Sequence, residues 1–256
     1  MSLKSNIVLQ LGLTDVDTKY ITLYNISFEV QKALDFNKER TKLLSEVRDY
    51  THVNYPRLKF LYDVAQKVAA SQMQGAFVEA GVWRGGCAGI LTYISKTHNY
   101  KHPLYFFDSF EGLPQPREED GIDSHKFANN NSNGGLKSIN KVKAEEDYIK
   151  ELLFNKLGAD QNKVNIIKGW FQDTLPVYKE KVGPIAILRL DGDWYESTKV
   201  SLENLYDLVV PGGYIIIDDY HYWDGCKRAV LEFIENRGLN VEVKRQDVSG
   251  VYFVKP

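Results

Sequence analysis

Two stretches of the chain each run through an apolar segment and stop on acidic residues. They are Ile185-Ala186-Ile187-Leu188-Arg189-Leu190-Asp191-Gly192-Asp193 and Tyr214-Ile215-Ile216-Ile217-Asp218-Asp219-Tyr220. Ile-rich runs of this length, bounded by Pro184 and by Pro211-Gly212-Gly213, predict strands buried on both faces. Such strands belong to a parallel sheet covered by helices, whose ligands sit beyond the carboxyl ends. Two adjacent strands would deliver Asp191, Asp193, Asp218 and Asp219 to that edge. Unpaired carboxylates there would cost several kcal/mol or take up protons. The cluster is therefore either a hard-cation site or a set of helix caps, since Asp caps helices well. An all-oxygen set without His or Cys favours Mg²⁺, Ca²⁺ or Mn²⁺ over zinc. Asp193, two residues past Asp191, suits a general base, with His221 as second choice.

The remaining pattern supports the same architecture. Tyr55-Pro56-Arg57 opens a helix to about Gln72, with Leu58, Leu61, Val64, Ala65 and Val68 at helical spacing. Strands are expected at 76–80, 104–107 and 164–167, and helices at 88–96, 144–157, 198–208 and 225–236. A closing strand pair is expected at 241–243 and 251–254. Strands alternating with helices predict an α/β fold, mainly parallel, with an antiparallel C-terminal edge. At the N-terminus, Leu23 to Phe28 reads as a strand and Phe28 to Arg48 as a surface helix, suited to a lid or a packed arm. The expected division is an arm over 1–54 and a main domain over 55–256. The domain carries a lid-like insertion at 115–143, too long for an ordinary connection and rich in Asn and Lys, which suits either a mobile lid or a disordered surface loop.

Composition narrows the functional classes. A chain of 256 residues that is 43% hydrophobic can build one large core. Its net charge of −2 gives no general attraction to nucleic acid or anionic membrane. No run reaches the roughly 18 apolar residues of a membrane span. Two cysteines, Cys87 and Cys226, form no metal-binding or disulfide pattern. Without a signal-peptide pattern, a reducing cytoplasmic setting is expected.

A second site lies at Glu79-Ala80-Gly81-Val82-Trp83-Arg84-Gly85-Gly86-Cys87, a strand end running into a glycine turn and a helix. The glycines allow a ligand close to the backbone. Trp83 stands where a dinucleotide motif has its middle glycine, and no P-loop Lys-Ser/Thr follows. Glu79 repels phosphate but suits an ammonium group, which fits S-adenosylmethionine. The Cys87 backbone N–H can touch such a ligand. Asp108, followed by Ser109, ends the next strand and can accept ribose hydroxyls. Gly169-Trp170-Phe171 can flank an adenine ring or simply pack in the core.

These residues match a known pattern. Phe77 to Gly86, Phe107 to Pro114, Lys168 to Pro176, Leu190 to Thr198, Ile217 to Tyr220 and Gly225 to Val230 together resemble the macrocin O-methyltransferase family, in the family's order. The resemblance implies a class I methyltransferase fold, Rossmann-like and seven-stranded, using S-adenosylmethionine (product S-adenosylhomocysteine) and Mg²⁺. It implies Asp191, Asp218 and Asp219 as metal ligands and Asp193 as base. It implies cofactor contacts from Glu79, Gly81, Val82, Trp83, Arg84, Cys87, Asp108, Ser109, Gly169, Trp170, Phe171 and Asp191. The expected acceptor is a sugar hydroxyl of a natural product or glycoconjugate, and the expected assembly a homodimer or larger. A catechol or phenol acceptor, or a non-catalytic cofactor- or metal-binding module, are the alternatives. Ala80 and Cys87 replace the family's frequent Cys and Ser.

Overall fold

The computed structural model describes residues 26–130 and 133–256. Its seven-stranded sheet has the order β3-β2-β1-β4-β5-β7-β6. The strands are β1 (Ala76–Ala80), β2 (Leu104–Asp108), β3 (Val164–Lys168), β4 (Ile185–Leu190), β5 (Val209–Ile217), β6 (Lys244–Arg245) and β7 (Val251–Val254). The first five are parallel; β7 runs antiparallel to both β5 and β6. The expected α/β sheet with an antiparallel edge is present. One strand is displaced: 241–243 is not paired, and the two-residue β6 follows it.

Alternation along the central strands builds two cores. Phe77, Ile187 and Ile216 face helices α1 (Lys38–Glu46), α2 (Tyr55–Ala70) and α3 (Gly86–Thr97), through side chains such as Leu43, Leu61 and Ile90. Val78, Leu188 and Ile215 face α6 (Phe171–Val182), α7 (Tyr195–Leu205) and α8 (Asp224–Asn236), through Leu175, Leu202 and Phe233. Charged side chains therefore have no place on these strands except at the ends or in pairs.

Sequence patterning missed or shifted several elements. Residues 26–28, expected as strand, lie in a helical segment over 26–33, and 23–25 fall outside the described residues. The single helix expected over 28–48 is broken at Asp35 to Asn37, where Asn37 caps α1 by accepting from the Arg40 N–H. Helix α6 was not expected, because Pro176 lies inside it and discourages a helical reading. Leu43, Leu44 and Val47 belong to the same core as α2 and α3, so packing continues across residue 54.

The 115–143 stretch is docked at the carboxyl edge of the sheet. It includes α4 (Gly121–Phe127), Pro114 bridges to Ser138, and α5 (Glu146–Lys150) follows. Buried Asp120 pins it: Oδ1 accepts from the Tyr195 N–H at 2.6 Å and Oδ2 from the Arg117 N–H at 2.8 Å. Tyr195 begins α7, so Asp120 satisfies one of that helix's open donors from across the fold. At Gly225 a Cβ would meet Asp120 Oδ1 at 2.1 Å, so only glycine permits this approach. Asp120→Ala leaves the buried Tyr195 N–H and the Arg117 N–H without their partner. It is expected to lower unfolding free energy by about 2–3 kcal/mol in urea titration.

Candidate functional site

The sheet brings three strand ends together by register. Ala80 pairs with Leu190 and Leu190 with Ile217, so Gly81, Asp191 and Asp218 leave the sheet side by side. The ladder continues one step: the Asp191 N–H donates to Ala80 O and the Asp218 N–H to Leu190 O. Gly81 (φ +92°) is required, because a Cβ there would lie 1.8 Å from Asp191 O. The chain then turns through non-glycine residues in the left-handed region, at Trp83 (φ 49°), Phe110 (φ 54°) and Asp193 (φ 58°). Such strain concentrates where a side chain must be aimed.

These ends open into a cavity of about 810 Å³, within the range of small-molecule sites. The organising side chain is Arg189, only 2% exposed although it sits in a sheet strand. Its Nη1 donates to Glu79 Oε1 at 2.6 Å and to Asp191 Oδ2 at 2.9 Å; its Nη2 donates to Asp218 Oδ1 at 2.6 Å. Arg57, at the start of α2, takes the other Asp218 oxygen and also pairs with Asp247. Asp218 is thus held by two guanidinium groups.

Asp191, Asp193 and Asp219 form a different set: one oxygen from each lies within 4.8 Å of the others. Asp219 Oδ2 is buried without a hydrogen-bond partner. Asp193 Oδ1 accepts from Trp223 Nε1 at 2.8 Å. Burial, then the Asp191 charge, pushes the Asp193 carboxyl up to about 8, against the Trp223 hydrogen bond. Burial and the Asp193 charge push Asp219 well up too. Three close carboxylates, one with an orphaned oxygen, fit a hard cation such as Mg²⁺.

On the glycine-turn side, Glu79 is 1% exposed. Its expected cationic partner is in part supplied by the protein: Arg189 holds Oε1, while Oε2 is buried with no partner. Burial raises this carboxyl to about 8, with Arg189 pulling in the opposite direction. Asp108 Oδ2 accepts from the Val82 and Trp83 N–H groups, and Oδ1 from Phe110 N–H. That uses three of a carboxylate's roughly four acceptor positions, leaving capacity for a hydroxyl.

Most residues singled out from sequence line this cavity, including Gly81, Cys87, Ser109, Trp170 and Phe171. Three do not. Arg84 stacks its guanidinium over Trp83 and Tyr148 at 4.4 and 4.5 Å. Gly169 extends the β3 edge, its N–H bonded to Asp108 O. His221 is exposed, with its backbone tied to Ser249, so it is withdrawn as an alternative base; its neighbours Tyr222 and Trp223 face the cavity instead. Arg57, Arg189 and Trp223 were missed. An arginine inside an apolar strand was the readable signal for Arg189, since buried charges are paired. Arg57 and Trp223 carried no local signal.

The profile of the macrocin-O-methyltransferase family matches residues 16–255. A tetracenomycin 4'-O-methyltransferase from Streptomyces olivaceus, named for a dimethoxy-rhamnosyl substrate, is 35% identical over 210 residues, covering 80% of this chain and 75% of that protein. Demethyldecarbamoylnovobiocin O-methyltransferase from Streptomyces niveus is 33% identical over 220 residues, covering 84% and 80%. The structure of the O-methyltransferase NovP superposes with a TM-score of 0.68 at 31% identity, covering 80% of this chain and 82% of that one.

Carboxyl groups raised by folding bind protons that the unfolded chain has released, so without a cation stability falls as pH rises. The window runs from ordinary carboxyl values to about 8. Thermal unfolding in chelator is expected to show Tm falling from pH 5 to pH 8. Added Mg²⁺ is expected to restore Tm most at the alkaline end, because binding displaces protons.

Proposed function

Because the chain belongs to the macrocin-O-methyltransferase family, we propose that it moves a methyl group from S-adenosylmethionine to a sugar hydroxyl, assisted by Mg²⁺. The observation that carries this reading is the joining, in one cavity, of the Gly81 turn with Asp191, Asp193 and the orphaned Asp219 oxygen. S-adenosylmethionine supplies a methyl carbon made electrophilic by its sulfonium, and a divalent cation supplies charge that acidifies an alcohol.

The chain's own residues do the rest. Asp108 has acceptor capacity for ribose, and Glu79 Oε2 for the ligand's ammonium group. Val82, Trp83, Cys87, Ser109, Trp170 and Phe171 wall the same end. Asp191 and Asp219 would hold the cation. The family resemblance gives the third place to Asp218, and the grouping of oxygens points to Asp193 as its rival. The family resemblance makes Asp193 the base and Asp218 the ligand, although Arg57 and Arg189 hold Asp218, which would have to release one arginine contact to reach a cation. Asp193 would accept the proton of the acceptor hydroxyl, whose oxygen would take the methyl group that bound S-adenosylmethionine supplies, leaving the thioether product. Trp223 holds Asp193 in place, and its ring with Phe127 offers an apolar platform for a sugar face. Catalysis is mainly positioning and proton removal.

This reading extends to a deoxysugar of a natural product or glycoconjugate as acceptor, a cytoplasmic setting, and self-association as a dimer or larger assembly. The two cysteines are buried and free, in accord with a reducing cytoplasmic setting.

Asp191→Ala is expected to abolish Mg²⁺ binding and methyl transfer together. Asp193→Asn is expected to keep Mg²⁺ binding within a few-fold and lose about 100-fold or more in kcat. If Asp193→Asn instead loses the cation while Asp218→Asn keeps it, the ligand and base assignments exchange. Methyl transfer to catechol but not to rhamnosides would contradict the sugar acceptor.

A further inference from the structure

The same cavity is lined by three residues of the 115–143 stretch, Phe127, Lys141 and Val142. The other long basic side chains lining it are already paired. Arg189 bonds Glu79, Asp191 and Asp218, and Arg57 bonds Asp218 and Asp247. His52 stacks its ring on Trp83 at 3.9 Å. Lys141 has no carboxylate partner among the described residues; its ammonium lies 4.4 Å from the Phe127 ring centre. A cation–π contact holds the charge at the wall and leaves N–H donors open.

The backbone fixes that placement. Lys141 O accepts from the Leu113 N–H at 3.0 Å, and Leu113 O accepts from the Ile139 N–H at 2.9 Å. Gly112 (φ +88°) lets the chains close, since a Cβ there would meet Lys141 O at 2.4 Å. On either side of Lys141, Asn140 (φ 57°) and Val142 (φ 53°) lie in the left-handed region. A β-branched residue there is a genuine outlier and persists only where its surroundings hold it. The contacts then run from Lys141 to Phe127, from Phe127 to Trp223 at 5.6 Å between ring centres, and from Trp223 Nε1 to Asp193. Lys141 therefore belongs to the aromatic wall that supports the base.

We infer that Lys141 is a specificity residue, and that the acceptor is an anionic glycoside whose carboxylate or phosphate it takes while the sugar rests on Phe127 and Trp223. This rests on the sugar-methylating reading above. A neutral acceptor would leave a fixed ammonium group in the wall with nothing to bind. An anionic one gains a charge-assisted hydrogen bond and is kept away from the carboxylates by their charge.

The test uses protein loaded with S-adenosylhomocysteine and Mg²⁺, titrated calorimetrically at low salt. The probes are two matched pairs, methyl rhamnoside with rhamnosyl phosphate, and methyl glucoside with methyl glucuronide. An anionic member is expected to bind about tenfold tighter than its neutral partner. Lys141→Ala and Lys141→Gln are expected to remove the preference, Lys141→Arg to keep most of it, and added salt to shrink it. Preference within the phosphate pair alone identifies a phosphate, and within the glucuronide pair alone a carboxylate. Equal or undetectable binding within both pairs, or a preference that survives Lys141→Ala and Lys141→Gln, overturns the inference. Retained S-adenosylhomocysteine binding shows that the variants fold. If wild-type protein does not bind S-adenosylhomocysteine, the methyl-transfer reading itself fails, and this inference with it.

Discussion

Glu79, Asp191 and Asp218 converge on the guanidinium of Arg189, which is buried at the centre of the sheet. Without it, burial would push the Glu79 and Asp218 carboxyls further toward protonation. Breaking a buried pair by removing one partner typically costs about 3–5 kcal/mol. Arg189 has a geometric role as well. Its two nitrogens tie the exits of β1, β4 and β5 together, so the glycine turn and the acidic strand ends keep a fixed spacing. Arg57 extends the same network to the start of α2 and to Asp247. What the arginines leave uncompensated is the Asp193–Asp219 side of the cluster, and that is where an added cation has a place.

The frame that delivers these groups is ordinary: apolar strands between two helical layers, with polar residues appearing where the strands end. The departures from it are local. Gly81 allows β1 to leave the sheet against the Asp191 carbonyl, and Trp83, Phe110 and Asp193 turn in left-handed backbone. The docked 115–143 stretch adds an aromatic wall. Trp194 Nε1 donates to Pro114 O, and the Trp194, Trp223 and Phe127 rings meet edge to face. Through Trp223 this wall touches the carboxylate proposed as base. An insertion that composition marks as a surface loop is therefore part of the site.

Much of this was legible in the chain. Ile-rich runs between Pro and Gly marked β4 and β5, and strand–helix alternation gave the parallel sheet. The acidic endings placed the site at its carboxyl edge. The aspartates at the edge could be named, but not which of them share a cavity corner, because that depends on rotamers and on Arg57, more than a hundred residues away in sequence. Asp218 and Asp219 are neighbours with opposite surroundings: one is clamped by arginines and the other is left with a bare oxygen. Helix α6 was hidden by Pro176. Lys141 was hidden because a lysine in an Asn- and Lys-rich segment looks like solvated surface until its backbone is seen to be fixed.

The central claim is that the acidic strand ends form a cation site that methyl transfer requires. Turnover of a sugar acceptor with S-adenosylmethionine, measured before and after chelation and again after Mg²⁺ is restored, tests it most directly. The account predicts loss of turnover in chelator and full recovery with Mg²⁺. Undiminished turnover in chelator would contradict it.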